Sequence, residues 1–170
     1  GSKAICQLNH AGGKAAAEML NILRKQGVKE DTKLTIAIAA SSFNSKTLLD
    51  RAEGIKKYWA KNAPANWSIK PEALINYSDP QLAQNLAAEA VKKDASIKGF
   101  ISVNNSSTVN TCKFLLANKD KNLCIVGFDY SKEIASLIAD SNNYAASVVQ
   151  NQYNMGYEAV KTATQMLNVR

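Results

Sequence analysis

Amides, hydroxyls, a carboxylate and aromatic rings recur in this sequence wherever a short apolar run ends. Asn9 follows the first run; Ser41, Phe43 and Asn44 the second; Tyr77 and Ser78 the third; Asn104 and Asn105 the fourth; Asp129 and Tyr130 the fifth; Gln150 and Asn151 the sixth. Hydroxyl, Asn and Gln side chains both donate and accept hydrogen bonds. A carboxylate accepts from two adjacent hydroxyls through charge-assisted, stronger bonds. Aromatic rings cover apolar C–H faces. Together these groups suit recognition of a sugar. A plainer explanation stands beside it: Asp or Asn after a strand often only caps the next helix. For Asp129 alone the two readings are equally good, and the convergence of several such groups favours a site.

Catalytic equipment is missing from the same places. His10 is the single histidine and has no nucleophile near it in sequence, so a structural or solvated role is expected. No Gly-x-Ser-x-Gly elbow occurs. Gly12-Gly13-Lys14 at a helix start would suit a phosphate, but its spacing fits neither the Walker nor the dinucleotide pattern. Close helix–strand packing is the expected role of those glycines. Leu8-Asn9-His10 lacks the clustered acids of a response regulator. Cys6, Cys112 and Cys124 have no metal-ligand spacing, and their odd number favours free thiols. The chain reads as a binding module rather than an enzyme, with no cofactor and no metal.

The elements that must position these groups follow from periodicity and breakers. Short apolar runs at 3–8, 34–40, 73–77, 97–103, 123–128 and 144–149 read as strands. Amphipathic stretches read as helices over 14–26, from the Ser41–Asn44 loop to about 62, from Pro80 onward, over 108–117, over 131–139 and over 152–167. Gly27 and Pro64 are stop signals, and Ser78-Asp79-Pro80 is a start signal. Six strands alternating with six helices predict a doubly wound α/β fold, a mostly parallel six-stranded sheet with helices on both faces. Ligands of such sheets bind at the carboxyl ends of the strands.

Bulk properties agree with one soluble domain. The 170 residues are 46% hydrophobic and 21% charged, and no run is long enough to cross a bilayer. The formal charge of +7 comes from lysines spread along the whole chain. Without a clustered basic face or a recognised module, nucleic acid is not an expected partner. Gly1-Ser2 has the look of a cloning remnant, and a chain opening at Lys3 inside an expected strand reads as a piece of a longer protein.

Five segments in order carry a resemblance: Asn9-His10-Ala11-Gly12-Gly13-Lys14, Arg51-Ala52-Glu53-Gly54-Ile55, Gly99-Phe100-Ile101 through Asn104-Asn105, Val126-Gly127-Phe128-Asp129, and Gln150-Asn151-Gln152-Tyr153-Asn154-Met155-Gly156-Tyr157. They resemble the type I periplasmic binding proteins, the ribose/galactose-type sugar receptors of ABC transporters. LacI-type repressor effector domains share that fold. The resemblance covers nearly the whole chain. It implies a two-lobed fold with ligand held between the lobes. Residues 3–151 would be the C-terminal sugar-binding lobe, and residues 152–170 a helix that packs on an N-terminal lobe missing from this sequence. It implies ligand contacts at Asn104, Asp129 and Gln150, with Phe43 or Tyr77 supplying a ring.

Departures from the family pattern leave the particular sugar open. Leu49 stands where many sugar receptors carry an arginine, and Arg51, two residues later, is expected to face elsewhere. Asn105 stands where the family often has Asp, and Ser78 where an aromatic often follows the third strand. Residues 144–150 look closer to the transport or sensor branch than to the repressors. The implied function is an extracytoplasmic, periplasmic or cell-surface solute-binding lobe that closes on its ligand by a hinge. Its partner would be an ABC permease or a sensor kinase. The alternative is the effector lobe of a LacI-type regulator. A homodimer through the 153–168 helix is a further expectation, because that apolar stripe would lack its usual cover.

Overall fold

Leu34–Ala40 (β1) is buried along its whole length, as a run of Leu, Ile and Ala covered on both faces must be. Ile36 and Ile38 point to one face and Ala37 and Ala39 to the other. The structure, a computed structural model, describes residues 2–141, 145–151 and 156–160, with side chains described over 10–139 and 145–148.

Around β1 the sheet is parallel. Trp67–Ile69 (β2) and Leu74–Ile75 (β3) follow one another along one side of it, and Ile97–Ser102 (β4) lies on the other. Cys124–Phe128 (β5) and Ala145–Asn151 (β6) continue the parallel order. Gly156–Val160 (β7) closes it, antiparallel to β6 with Gln150 opposite Tyr157. Because β2 and β3 share one flank of β1, the sheet is six positions wide.

Helices cover both faces. Ser2–Lys25 (α1) and Lys46–Asn62 (α2) enclose one core with Ile36, Ile38, Val126 and Phe128. Pro80–Lys93 (α3), Asn105–Ala117 (α4) and Lys132–Ser141 (α5) enclose the other with Phe100, Ile125 and Ile134. The chain leaves β1 toward β2 on one side and returns to β4 on the other, so the strand order reverses between β1 and β4. In open α/β sheets that reversal opens a crevice at the strand ends.

Three expectations are corrected. Residues 3–8 are the first turns of α1 rather than a strand, and α1 runs unbroken through Gly12 and Gly13. A short apolar run fits helix and strand alike. Gly12 tightens helix–helix rather than helix–strand packing: a Cβ there would sit 2.1 Å from the Arg51 carbonyl oxygen of α2. The helix expected over 152–167 is replaced across Gly156–Val160 by β7, where pairing with the open edge of β6 wins over helical patterning. The remainder of that stretch, and with it most of the expected dimer helix, lies outside the described residues. β2 has no counterpart in the sequence-based expectations.

Candidate ligand-binding edge

The carboxyl ends of β1, β3, β4, β5 and β6 lie along one edge because these strands run parallel. At the reversal point, the Asn104 side chain bridges two loops. Its Oδ1 accepts from the Ser41 backbone N–H at 3.2 Å and its Nδ2 donates to Ser106 Oγ at 3.0 Å. Asn104 occupies the N-cap of α4 but makes no side-chain cap bond. It ties the end of β4 to the end of β1.

Asp129 follows β5 with φ of 67°, a left-handed conformation disfavoured for a residue with a Cβ. Two bonds hold it there. Its N–H donates to the Val148 carbonyl at 2.8 Å, and its carbonyl accepts from Ser147 Oγ at 2.7 Å. Both bonds engage Asp129's own backbone groups, and its carboxylate makes no hydrogen bond or ion pair among the described residues. The capping explanation fails here, because Ser131 Oγ accepts from the Ile134 N–H at 3.2 Å and so caps α5. Backbone strain of this kind concentrates where a side chain must be aimed.

β5 is set in depth by α4. A Cβ at Gly127 would fall 2.2 Å from Thr108 Cγ2. Without it, Thr108 approaches closely enough for its Oγ1 to accept from the Phe128 N–H at 3.1 Å and donate to the Asn104 carbonyl at 2.9 Å. One hydroxyl thus joins the backbones beside Asn104 and Asp129.

The third strand end is also built. Buried Asn76 donates from Nδ2 to Ser107 Oγ at 2.9 Å and accepts from the Ser78 N–H at 2.9 Å. Tyr77, between them, has φ of 52° and is 73% exposed. Phe43 is half-buried, packed against the core on the α1–α2 side. Asn105 is occupied, its Nδ2 donating to the Tyr130 carbonyl at 3.2 Å. Gln150 lies on β6 toward the same edge, and its side chain lies outside the described residues.

Arg51 reverses an expectation. Its Nη1 donates to the Val103 carbonyl at 2.7 Å and its guanidinium lies 4.4 Å from the Phe128 ring centroid, while its buried Nε has no partner among the described residues. It therefore reaches the ends of β4 and β5 from below. The signal was in the phase of α2: Leu48, Ala52, Ile55 and Trp59 mark the buried face, and Arg51 is three residues from Leu48 and four from Ile55. Leu49 falls off that face and is 47% exposed. Among the described residues no group of His, Cys, Asp and Glu is placed to hold a metal, and no helix is long and apolar enough to cross a membrane.

A doubly wound sheet with a polar, partly strained row at its reversal point belongs to the class of α/β binding domains. The periplasmic binding protein domain matches residues 2–169, and the chain belongs to that family. Similar solved structures include AraP, an arabinose binding protein from Geobacillus stearothermophilus, at 17% identity and TM-score 0.68, covering 95% of this chain and 50% of AraP. An ABC transporter solute binding protein from Agrobacterium vitis with bound D-fucose is 20% identical with TM-score 0.69, covering 96% of this chain and 51% of its own. The XylFII molecule is 20% identical with TM-score 0.68, covering 95% and 54%. The chain thus spans about half the length of these structures. Among curated proteins no sequence matches it.

Proposed function

We propose that this chain is one sugar-binding lobe of an extracytoplasmic solute-binding protein, serving an ABC transporter or a membrane sensor. The observation that carries the proposal is Asp129: a carboxylate aimed by a strained backbone, capping nothing, at the strand-end edge that also holds Asn104 and exposed Tyr77. A carboxylate accepting from adjacent hydroxyls and a ring over C–H bonds are what a monosaccharide needs. Gln150 extends the row along β6. Arg51 donates to the Val103 carbonyl and stacks on Phe128, so its guanidinium braces the ends of β4 and β5.

Membership of the family and the sugar ligands named for similar structures support the reading. Since the chain spans half their length, a companion lobe would supply the opposite wall, and closure would be a population shift driven by contacts made only in the closed state. Calorimetry with pentoses and hexoses tests the proposal. Binding is expected when a companion lobe is present and weak or undetectable for the 170-residue chain alone. Failure of every neutral sugar to bind the two-lobed protein would refute it.

A further inference from the structure

A groove of about 550 Å³ runs between α1 and α2, and none of the strand-end residues line it. Gly13, Ala17 and Gly54 keep it open, and its surface is mostly carbon. Lysines stand on both sides: Lys14 on α1, Lys57 and Lys61 on α2. Lys57 is paired with Glu53 at 3.3 Å, whereas Lys14 and Lys61 make no ion pair among the described residues. No carboxylate lines the groove.

We propose that this groove docks an acidic amphipathic helix of a partner protein. Small residues below and lysines above match a helix that lays an apolar stripe into the groove with Glu or Asp on its flanks. Charge decides against other occupants. A second copy of this chain carries a net +7 and the same lysines, so like charges would meet. The chain's own residues 161–170 contain Lys161 and Arg170 and no acidic side chain. A lipid surface is disfavoured by shape, because the apolar surface lies in a concavity between two helices.

The test is fluorescence anisotropy of the 170-residue chain with a labelled synthetic amphipathic helix of roughly five turns, a Leu stripe flanked by Glu, against the same peptide flanked by Lys. Saturable binding of the Glu peptide is expected, weakening as salt rises above about 0.15 M. Lys14→Glu with Lys61→Glu should weaken it by about tenfold or more. Ala17→Glu, which puts a carboxylate into the groove itself, should also weaken it, with circular dichroism confirming the fold of each variant. The proposal is overturned if the Glu peptide does not bind saturably, if the Lys peptide binds as well, if both variants bind undiminished, or if only phosphatidylglycerol vesicles bind.

Discussion

Asp129 and Thr108 divide the labour at the edge: one presents a free carboxylate, the other fixes the backbones that aim it. The Gly127 contact makes that division testable. Gly127→Ala would drive a methyl into Thr108, at 2.2 Å from Cγ2, and overpacking of this kind costs about 1–3 kcal/mol. Urea unfolding should show that loss. The buried cysteines give a second residue-scale expectation. Burial pushes the Cys124 thiol up to about 11, against the pull of the Gln26 amide and the Lys98 charge. Burial raises Cys112 further, helped by Glu133. Thiolate is the reactive form, so a thiol reagent at pH 8 should label both slowly in the native protein and rapidly in denaturant. Asp129 and Asn104 were legible in the sequence because strand ends can be read from apolar runs. Arg51 was misread because its role depends on helix phase and on a ring, Phe128, far away in the chain.

Elements are held at their ends by a few identifiable bonds. Asp79 Oδ1 accepts from the N–H groups of Gln81 at 2.9 Å and Leu82 at 3.2 Å, with Pro80 opening α3 behind it. Asp79→Ala should cost about 1 kcal/mol in chemical unfolding. After α3, Asp94 accepts from Ser96 Oγ at 2.6 Å and from its N–H at 2.9 Å, which holds the carboxyl below the usual carboxylate range. A folded value below the unfolded one means the contribution is fully present above the unfolded value. It is lost as pH falls below about 4, through the folded value. Thermal unfolding of Asp94→Asn should therefore show a shallower acid limb than the unsubstituted chain. Helices α2 to α5 and strands β1, β4, β5 and β6 were legible because their caps, breakers and apolar runs are local signals. Strand β7 and the start of α1 were not: their state depends on which neighbouring edge or helix is available, a tertiary choice that local patterning does not encode.

At the scale of the whole molecule, the doubly wound order places the β1–β4 reversal, the Asn104 bridge and Asp129 on one edge. The doubly wound, mostly parallel class was legible from the alternation of apolar runs with amphipathic stretches, although the chain opens on a helix and closes on the consecutive strands β6 and β7. The proposed role makes the edge one wall of a cleft and assigns Asp129 the charged contact to sugar hydroxyls. The direct measurement is calorimetry of a protein carrying this chain together with its companion lobe, with and without Asp129→Ala, alongside thermal unfolding. Losing a charged hydrogen-bond partner should cost about 1.5–3 kcal/mol of binding, roughly tenfold or more in affinity, with the unfolding midpoint nearly unchanged because the carboxylate bonds to nothing else among the described residues. Unchanged sugar affinity in Asp129→Ala, in a protein that still folds, would contradict the account.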